Sequence, residues 1–218
     1  KMIEKLKKII KKDYKWIILF LCVILFLVIL EDVFEYETLA LDTSVYTIVV
    51  EKMRNPILTD ILKIITNLGS AFVLITITIL SLIILKNKKI GLCITLNLAL
   101  STLLNVLLKN IIQRPRPEGY RLIEETGFSF PSGHSMVNTA FYGLLIYLII
   151  KNVKNKKLKY ALSILISILI LAIGFSRIYL GVHYTSDVLA GFLISVAYLI
   201  VFTTILHDIL KLEKGEIK

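Results

Sequence analysis

The apolar residues of the chain come in six long blocks, each bounded by charged or polar residues. Such runs are typical of helices that cross a membrane, since about 20 apolar residues span the hydrocarbon core. Several blocks are shorter, and Lys and Tyr side chains at their ends can extend them to the interface. The pattern predicts an all-α polytopic membrane protein, a six-transmembrane-helix bundle that forms one membrane-embedded domain over residues 1–218. The blocks are Trp16–Leu30, Ser70–Leu85, Ile90–Leu108, Ser135–Ile150, Tyr160–Phe175 and Val188–Leu206.

The segment 31–69, between the first two blocks, has a different pattern. Its apolar positions recur at helical spacing, and breaks are expected at Arg54–Pro56 and at Asn67–Gly69. We therefore predict short amphipathic helices that lie on the bilayer surface. A structural lid is the favoured interpretation, and a surface that guides lipids is the alternative. The expected apolar face holds Ile57, Ile61, Ile64 and Ile65.

Composition supports a membrane protein and explains the positive charge. The 218 residues are 56% hydrophobic, with a mean hydropathy of +0.80, whereas soluble domains are about 45–50% apolar. The net charge is +10, and most Lys and Arg lie in the tail 1–15, the turns 86–89 and 151–159, and the tail 207–218. These four share one side of a six-span bundle, so the positive-inside rule places them and both termini in the cytoplasm.

This distribution of charge also bears on partners and localisation. Attraction to anionic lipid headgroups accounts for the basic tails and turns, so nucleic acid is not expected as a partner. No small-residue cleavage site follows the first block, which favours an uncleaved anchor over a signal peptide. We expect a multi-pass protein of the plasma membrane, with no obligate protein partner evident.

Cations and histidines gather at the opposite, outer ends of the predicted helices. Each of them alone has an ordinary structural explanation, such as an interfacial anchor. The spacing from His183 to Asp187 puts both side chains on one helical face within hydrogen-bond reach. A carboxylate that holds one imidazole nitrogen leaves the other as a better nucleophile or base, although a purely structural pair is also possible. The outer group consists of Lys109, Arg116, His134, Arg177, His183 and Asp187.

The stretch Pro131-Ser132-Gly133-His134 is predicted to start a helix and to bind an anion. Ser suits the helix cap and Pro the first turn, while Gly lets a ligand approach the backbone closely. The free N–H groups and the positive end of the helix dipole attract negative charge. Arg adds fork-shaped donors and Lys a mobile point charge. The expected ligand beside Lys109, Arg116 and Arg177 is therefore a phosphate.

Three motifs follow one another along the chain. The first is Lys-x6-Arg-Pro over 109–117, the second is Pro-Ser-Gly-His over 131–134, and the third is Ser-Arg-x5-His-x3-Asp over 176–187. Their order, spacing and placement on helices resemble the type-2 phosphatidic acid phosphatase family, a membrane relative of vanadium haloperoxidases. The resemblance covers the chain from about the first span to the sixth.

The resemblance implies a role for each motif residue. His183 would attack phosphorus and become a phosphohistidine, Asp187 would orient it, and His134 would be the general acid toward the leaving oxygen. This agrees with the residues themselves, because phosphoryl transfer depends chiefly on positioning and charge stabilisation. The phosphate oxygens would be bound by Lys109, Arg116, Arg177, Ser132 and the Gly133 amide.

The same residues limit cofactors and substrates. No carboxylate cluster suited to Mg²⁺ occurs, so catalysis without a metal or other cofactor is expected. The substrate should be an amphiphile: phosphatidylglycerophosphate, phosphatidate or undecaprenyl pyrophosphate. One alternative is a lipid phosphotransferase with the same histidines, and another is an inactive lipid-binding scaffold, against which the two intact histidines argue. An anionic-solute carrier is less favoured, because transporters hold their charges near the bilayer midplane.

Overall fold

The computed structural model describes residues 2–36 and 38–210, with side chains over 13–36 and 38–206. Within these residues the chain folds into eight α-helices and one π-helical segment, without strands. The predicted tails 1–15 and 207–218 lie partly outside the described residues. The elements are α1 (Met2–Tyr36), α2 (Ala40–Tyr46), the π-helical segment Thr47–Lys52, α3 (Pro56–Asn67), α4 (Ala71–Ile84), α5 (Lys88–Ile112), α6 (Gly133–Asn152), α7 (Lys156–Tyr179) and α8 (Thr185–Leu210).

The helices confirm the all-α prediction with its six spans. Five of them are long and apolar enough to cross a membrane, and α3 with α4 gives a sixth if this pair, bent by 41°, counts as one span. The predicted second span corresponds to α4, which has only 14 residues. At 1.5 Å per residue α4 is about 21 Å long, short of the roughly 30 Å of a hydrocarbon core. It therefore reaches the length of a span only together with α3.

The bend between α3 and α4 is held by α6. The Tyr142 hydroxyl donates to the Leu68 carbonyl at 2.8 Å, and Asn138 Nδ2 donates to the Gly69 carbonyl at 2.9 Å. A Cβ at position 69 would lie 2.7 Å from Asn138 Nδ2 and 2.9 Å from Ile173 Cγ2, so a larger residue would displace the Asn138 side chain that holds the bend. The expected break at Asn67–Gly69 is confirmed.

The part of the segment 31–69 that follows α1, called the outer segment after its predicted side of the membrane, is anchored to the end of α7. The π-helical segment ends at Lys52, and α3 begins at Pro56, so the expected break at Arg54–Pro56 is also confirmed. Arg54 donates from Nε and one terminal nitrogen to the Tyr179 carbonyl, at 3.0 and 2.7 Å. The Tyr179 hydroxyl in turn accepts the Asn55 backbone N–H at 3.0 Å. These contacts fix the outer segment beside the turn that carries His183.

The core of the bundle surrounds α6, which packs against α5, α7 and α8. Helix α1 lies against α8, α3 against α7, and α4 against α5. Phe141 and Leu144 of α6 meet Ile94 of α5 and Ile173 of α7 in the largest buried cluster. The central position of α6 brings its first turn, the Pro-Ser-Gly-His motif, next to the ends of its neighbours.

The last turns of α5 and α7 and the first turns of α6 and α8 lie at one end of the bundle. The loop 113–132 joins them, because Leu122 N–H donates to the Leu180 carbonyl at 2.9 Å and Ser132 N–H donates to the Asp187 carbonyl at 3.1 Å. Gly191 allows the close approach of α8 to α6, since a Cβ there would lie 2.9 Å from Ser135 Cβ. The three motifs therefore share one depth in the bundle.

Candidate active site

His183 and Asp187 form the centre of the site, in the turn before α8 and in its first turn. His183 Nδ1 lies 3.4 Å from Asp187 Oδ2, as the spacing of four residues predicts. The same carboxylate oxygen accepts the Tyr184 backbone N–H at 2.9 Å and the Ser129 hydroxyl. Ser129 Oγ is also 3.2 Å from His183 Nδ1. The buried carboxylate is thus held by several donors beside the imidazole.

The other imidazole nitrogen of His183 faces Arg116. The distance from His183 Nε2 to an Arg116 terminal nitrogen is 3.1 Å. A guanidinium has only donors, so Nε2 is the acceptor and the ring proton lies on Nδ1, toward Asp187. Burial, with a smaller effect of the nearby cations, lowers the pKa of His183 to about 3 although Asp187 acts in the opposite direction. A neutral imidazole with an unprotonated Nε2 is the state that a nucleophile requires.

Arg116 is fixed by the loop around it. One terminal nitrogen donates to the Val182 carbonyl at 2.9 Å, the other donates to the Thr126 carbonyl at 3.0 Å, and Nε donates to the Gly127 carbonyl at 2.9 Å. Burial lowers the pKa of Arg116 from its ordinary value, yet a guanidinium stays charged in proteins. The site therefore holds a rigid positive charge next to His183 Nε2.

Arg177 reaches the pocket from the last turn of α7. One terminal nitrogen donates to Thr66 Oγ1 at 2.7 Å, and the other pairs with the Glu125 carboxylate. The second carboxylate oxygen of Glu125 lies 3.9 Å from Arg116. Within the described part of the chain, the buried Arg177 Nε–H has no hydrogen-bond partner. The Glu125 carboxylate thus lies next to Arg177 and Arg116, two cations to which the family resemblance assigns phosphate binding.

Lys109 enters the pocket from the last turn of α5. Its Nζ donates to the Phe128 carbonyl and, at 3.3 Å, to the Ser129 carbonyl. The charges of Arg116 and Arg177 act on Lys109, so the three cations predicted to bind phosphate lie within electrostatic reach of one another.

The Pro-Ser-Gly-His motif starts α6 with Ser132 as the cap, as predicted, but Pro131 precedes the cap instead of taking the first helical position. Ser132 Oγ accepts the Ser135 backbone N–H at 3.4 Å, which makes Ser132 the helix cap. Asn105 Nδ2 donates to the Pro131 carbonyl at 3.2 Å. A Cβ at Gly133 would lie 3.1 Å from Asn105 Oδ1, so glycine permits this close packing of α5 on the motif.

His134 lies in the first turn of α6 and is partly exposed. The charges of Arg177, Arg116 and Lys109, and the imidazole of His183, act on its ring. Both imidazoles therefore belong to one electrostatic environment. The structure brings all eight predicted site residues to the same end of the bundle: Lys109, Arg116, Ser132, Gly133, His134, Arg177, His183 and Asp187.

Several residues at the site were not predicted from the sequence. Glu125 and Ser129 lie between two motifs, in a loop whose polar residues carry no periodic pattern. Thr66 and Asp42 come from the outer segment, which was interpreted as a lid. Arg114 stands two residues before Arg116, and this Arg-Pro repeat is the signal in the sequence that points to a second arginine at the site.

A metal site is not evident among the described residues. No three side chains of the types His, Cys, Asp and Glu come together there as a metal ion would require. Metal-free catalysis stays a prediction, to be tested by chelation.

The motifs and the fold agree with known proteins. Residues 90–211 match the family model described as the PAP2 superfamily. Phosphatidylglycerophosphatase B of Bacillus subtilis (strain 168) is 40% identical over 147 residues, which cover 64% of this chain and 71% of that protein. Undecaprenyl-diphosphatase of Sulfolobus acidocaldarius is 27% identical over 191 residues, which cover 84% of this chain and 87% of that protein.

Two crystal structures resemble the fold over most of the chain. The transmembrane PAP2-type phosphatidylglycerolphosphate phosphatase from Bacillus subtilis superposes with a TM-score of 0.80 at 28% identity, over 89% of this chain and 98% of that chain. LpxE of Aquifex aeolicus gives a TM-score of 0.64 at 26% identity, over 78% and 98% of the two chains. The chain therefore belongs to the PAP2 superfamily and is a multi-span membrane phosphatase.

Proposed function

We propose that the protein hydrolyses the phosphate monoester or pyrophosphate of a membrane lipid, through a phosphohistidine at His183, on the outer face of the plasma membrane. The observation that carries the proposal is a groove between α4 and α5 with a volume of about 570 Å³. Apolar residues line most of it, and it ends at Gly133 and His134. An apolar groove that ends at a cationic pocket fits a ligand with a hydrocarbon tail and a phosphate head.

The groove is open to the membrane along α4. Its lining extends from Ala71 to Leu82, about 16 Å at the rise of an α-helix. Ile75 and Ile79, on the groove wall, are each 50% exposed. A lipid that enters sideways keeps its tail in apolar surroundings, so it avoids the cost of extraction into water, about 0.8 kcal/mol per CH₂.

Phosphate binding would use the cations of the pocket. The unpaired N–H of Arg177 Nε supports this, because a phosphate oxygen would satisfy the buried donor. A second phosphate oxygen would accept the Arg116 N–H that now faces His183 Nε2. That exchange frees the Nε2 lone pair and orients phosphorus in front of it. Lys109 and the first amides of α6 would neutralise the remaining charge.

The reaction would then proceed in two steps. The lone pair of His183 Nε2 attacks phosphorus, an N–P bond forms, and the P–O bond to the lipid breaks while His134 gives a proton to the leaving oxygen. Asp187 stabilises the positive imidazole that results. In the second step a water attacks phosphorus, His134 takes the proton of that water, the N–P bond breaks, and inorganic phosphate leaves.

The candidate substrates follow from the pocket and from the relatives. Relatives named for phosphatidylglycerophosphate and undecaprenyl diphosphate support these two lipids, and phosphatidate shares the same phosphate and tail chemistry. The basic turns between α4 and α5 and between α6 and α7 lie at the end of the bundle opposite the site, and this charge distribution supports an outer-face reaction.

The test is release of phosphate by the purified chain in detergent micelles with EDTA. Each of the three lipids is offered beside a short-chain, soluble analogue with the same phosphate group. We expect wild-type protein to release phosphate from the lipids, His183→Ala to release none, and the soluble analogues to be poor substrates. Quenching of wild-type turnover with base and detergent should trap a phosphoprotein that is stable in base and labile in acid, and that His183→Ala lacks.

Results that differ from these expectations would each contradict a separate part of the proposal. A labelled lipid product without free phosphate would indicate a phosphotransferase. Equal rates with the soluble analogues would contradict recognition of the tail, and loss of turnover with EDTA would contradict metal-free catalysis. Turnover in sealed right-side-out vesicles, compared with inverted ones, tests the predicted side of the membrane.

A further inference from the structure

Asp42 is a buried carboxylate of the outer segment that lies next to the first turn of α8. It is 3% exposed, although it belongs to the short helix α2, far from the motifs in sequence. Its Oδ1 accepts the Ser186 backbone N–H at 2.8 Å, and its Oδ2 accepts the Ser186 hydroxyl at 2.7 Å. Asp42 therefore holds the backbone of the residue immediately before Asp187. It also places negative charge at the amino end of α8, where the helix dipole favours it.

Arg114 connects Asp42 to Asp187 through a buried bridge. One terminal nitrogen lies 2.9 Å from Asp42 Oδ2, and the other lies 2.6 Å from Asp187 Oδ1. The second nitrogen also donates to Ser186 Oγ at 2.8 Å. The guanidinium carbon of Arg114 lies 4.1 Å from the ring centroid of Tyr184, so a cation–π contact holds the group in addition to its hydrogen bonds. All three charged side chains are almost fully buried, with exposed fractions of 1% or less.

We propose that Asp42 is a positioning residue for the phosphatase reaction: through Arg114 and Ser186 it holds Asp187 at His183. The inference rests on the proposed function, in which His183 and Asp187 carry the chemistry. Asp187 uses Oδ2 for His183 and Oδ1 for Arg114, so the arginine fixes the rotation of the carboxylate. Without Asp42, Arg114 loses a carboxylate that holds its fork, and α8 loses an acceptor at its first turn.

The geometry makes this role different from a general brace of the fold. In the described hydrogen bonds and ion pairs, Asp42 contacts none of Lys109, Arg116 and Arg177. It contacts Arg114, which pairs with Asp187, and Ser186, which directly precedes Asp187. Substrate binding should therefore be insensitive to Asp42, and the chemical step should depend on it. A split between kcat and KM separates the two roles.

The experiment compares Asp42→Asn with Asp60→Asn, which makes the same change on an exposed position of α3. For Asp42→Asn we expect kcat to fall about 10²-fold, the typical effect of displacing a reacting group by an ångström. KM and the affinity for vanadate should stay near the wild-type values. Asp60→Asn should match the wild type in all three quantities.

A second readout needs no substrate. The chain has three histidines, so labelling with ¹⁵N-histidine gives three imidazoles, and a His183→Gln sample identifies His183. We expect the Nδ1–H tautomer of His183 in the wild type and a mixture of tautomers in Asp42→Asn. If the wild type releases no phosphate from any lipid, the proposed function fails, while the tautomer comparison still decides the role of Asp42.

Wild-type kcat and a wild-type tautomer in Asp42→Asn would overturn the inference. If this variant does not fold, Ser186→Ala replaces it, because it removes the hydroxyl between Asp42 and Arg114 and leaves no buried charge unpaired. The loss of the two hydrogen bonds that the hydroxyl makes with Asp42 and Arg114 should lower kcat by about tenfold and populate the second tautomer. A folded Ser186→Ala with unchanged kcat and unchanged tautomer would contradict the link through the Ser186 hydroxyl, which the proposal requires.

Discussion

Replacement of Glu125 by Gln should tighten the binding of inorganic phosphate and of vanadate. In the structure the Glu125 carboxylate pairs with Arg177 and approaches Arg116, so an incoming anion competes with it for the same donors. Gln keeps the size of the side chain and one acceptor oxygen, but it removes the negative charge. The positive field of the pocket then acts on the ligand without an internal anion.

The size of the effect follows from the exposure of the two partners. A hydrogen bond to a charged group contributes about 1.5–3 kcal/mol when it is buried. Arg177 is buried, but the Glu125 side chain is 28% exposed, and solvent screening reduces the contribution of such a pair to about 1–1.5 kcal/mol. Since 1.4 kcal/mol corresponds to a factor of ten in an equilibrium constant, we expect the Kd for phosphate to fall by about tenfold.

Isothermal titration of vanadate and phosphate into the purified protein measures this Kd directly. Glu124→Gln is the matched control, because it removes the same charge from the neighbouring, exposed position and should change the Kd little. An increase of the Kd in Glu125→Gln would refute the reasoning, since it would mean that the carboxylate holds the arginines in place for the anion. A Kd equal to that of the control would show that no competition exists.

Other consequences of the site can be tested in the same preparation. His134→Ala should turn over slowly and still bind substrate, as expected for a general acid; unchanged kcat would remove that role. Burial lowers the pKa of His183 to about 3, so as the pH falls below about 6.5 the unfolded chain binds this proton before the folded chain does. The stability associated with His183 is therefore complete above pH 6.5 and is lost toward pH 3, by up to about 1.4 kcal/mol per pH unit. Melting curves of His183→Gln should show a shallower acid slope, and an identical slope would contradict the assignment. Gly191→Ala places a Cβ 3.1 Å from the Met136 backbone nitrogen and from the Ser132 carbonyl oxygen, so we expect a loss of about 1–3 kcal/mol in stability and reduced turnover; a wild-type melting temperature would argue against the close packing of α8 on α6.

Local pattern was sufficient for the helices and for the motif residues. The apolar blocks locate the spans because a helix satisfies its own backbone hydrogen bonds, and its length and apolar side chains decide whether it can lie in lipid. Neither property depends on distant residues. The break at Asn67–Gly69 was likewise predicted, since polar and glycine residues interrupt an apolar run. The length of the second span was not, because α4 reaches the length of a span only with α3, and the contacts of Asn138 and Tyr142 that bend the pair come from another helix.

The sequence by itself determined the all-α membrane bundle and the set of histidines, cations and carboxylate that gathers at one end of it. Only the tertiary structure decided that Glu125 pairs with the pocket arginine, that Asp42 reaches the first turn of α8, and that an apolar groove leads to His134. The physical reason is the range of the interactions. Helix formation and spacing within a motif depend on residues a few positions apart, whereas a buried ion pair or a groove depends on helices that only the packing of the whole bundle brings together.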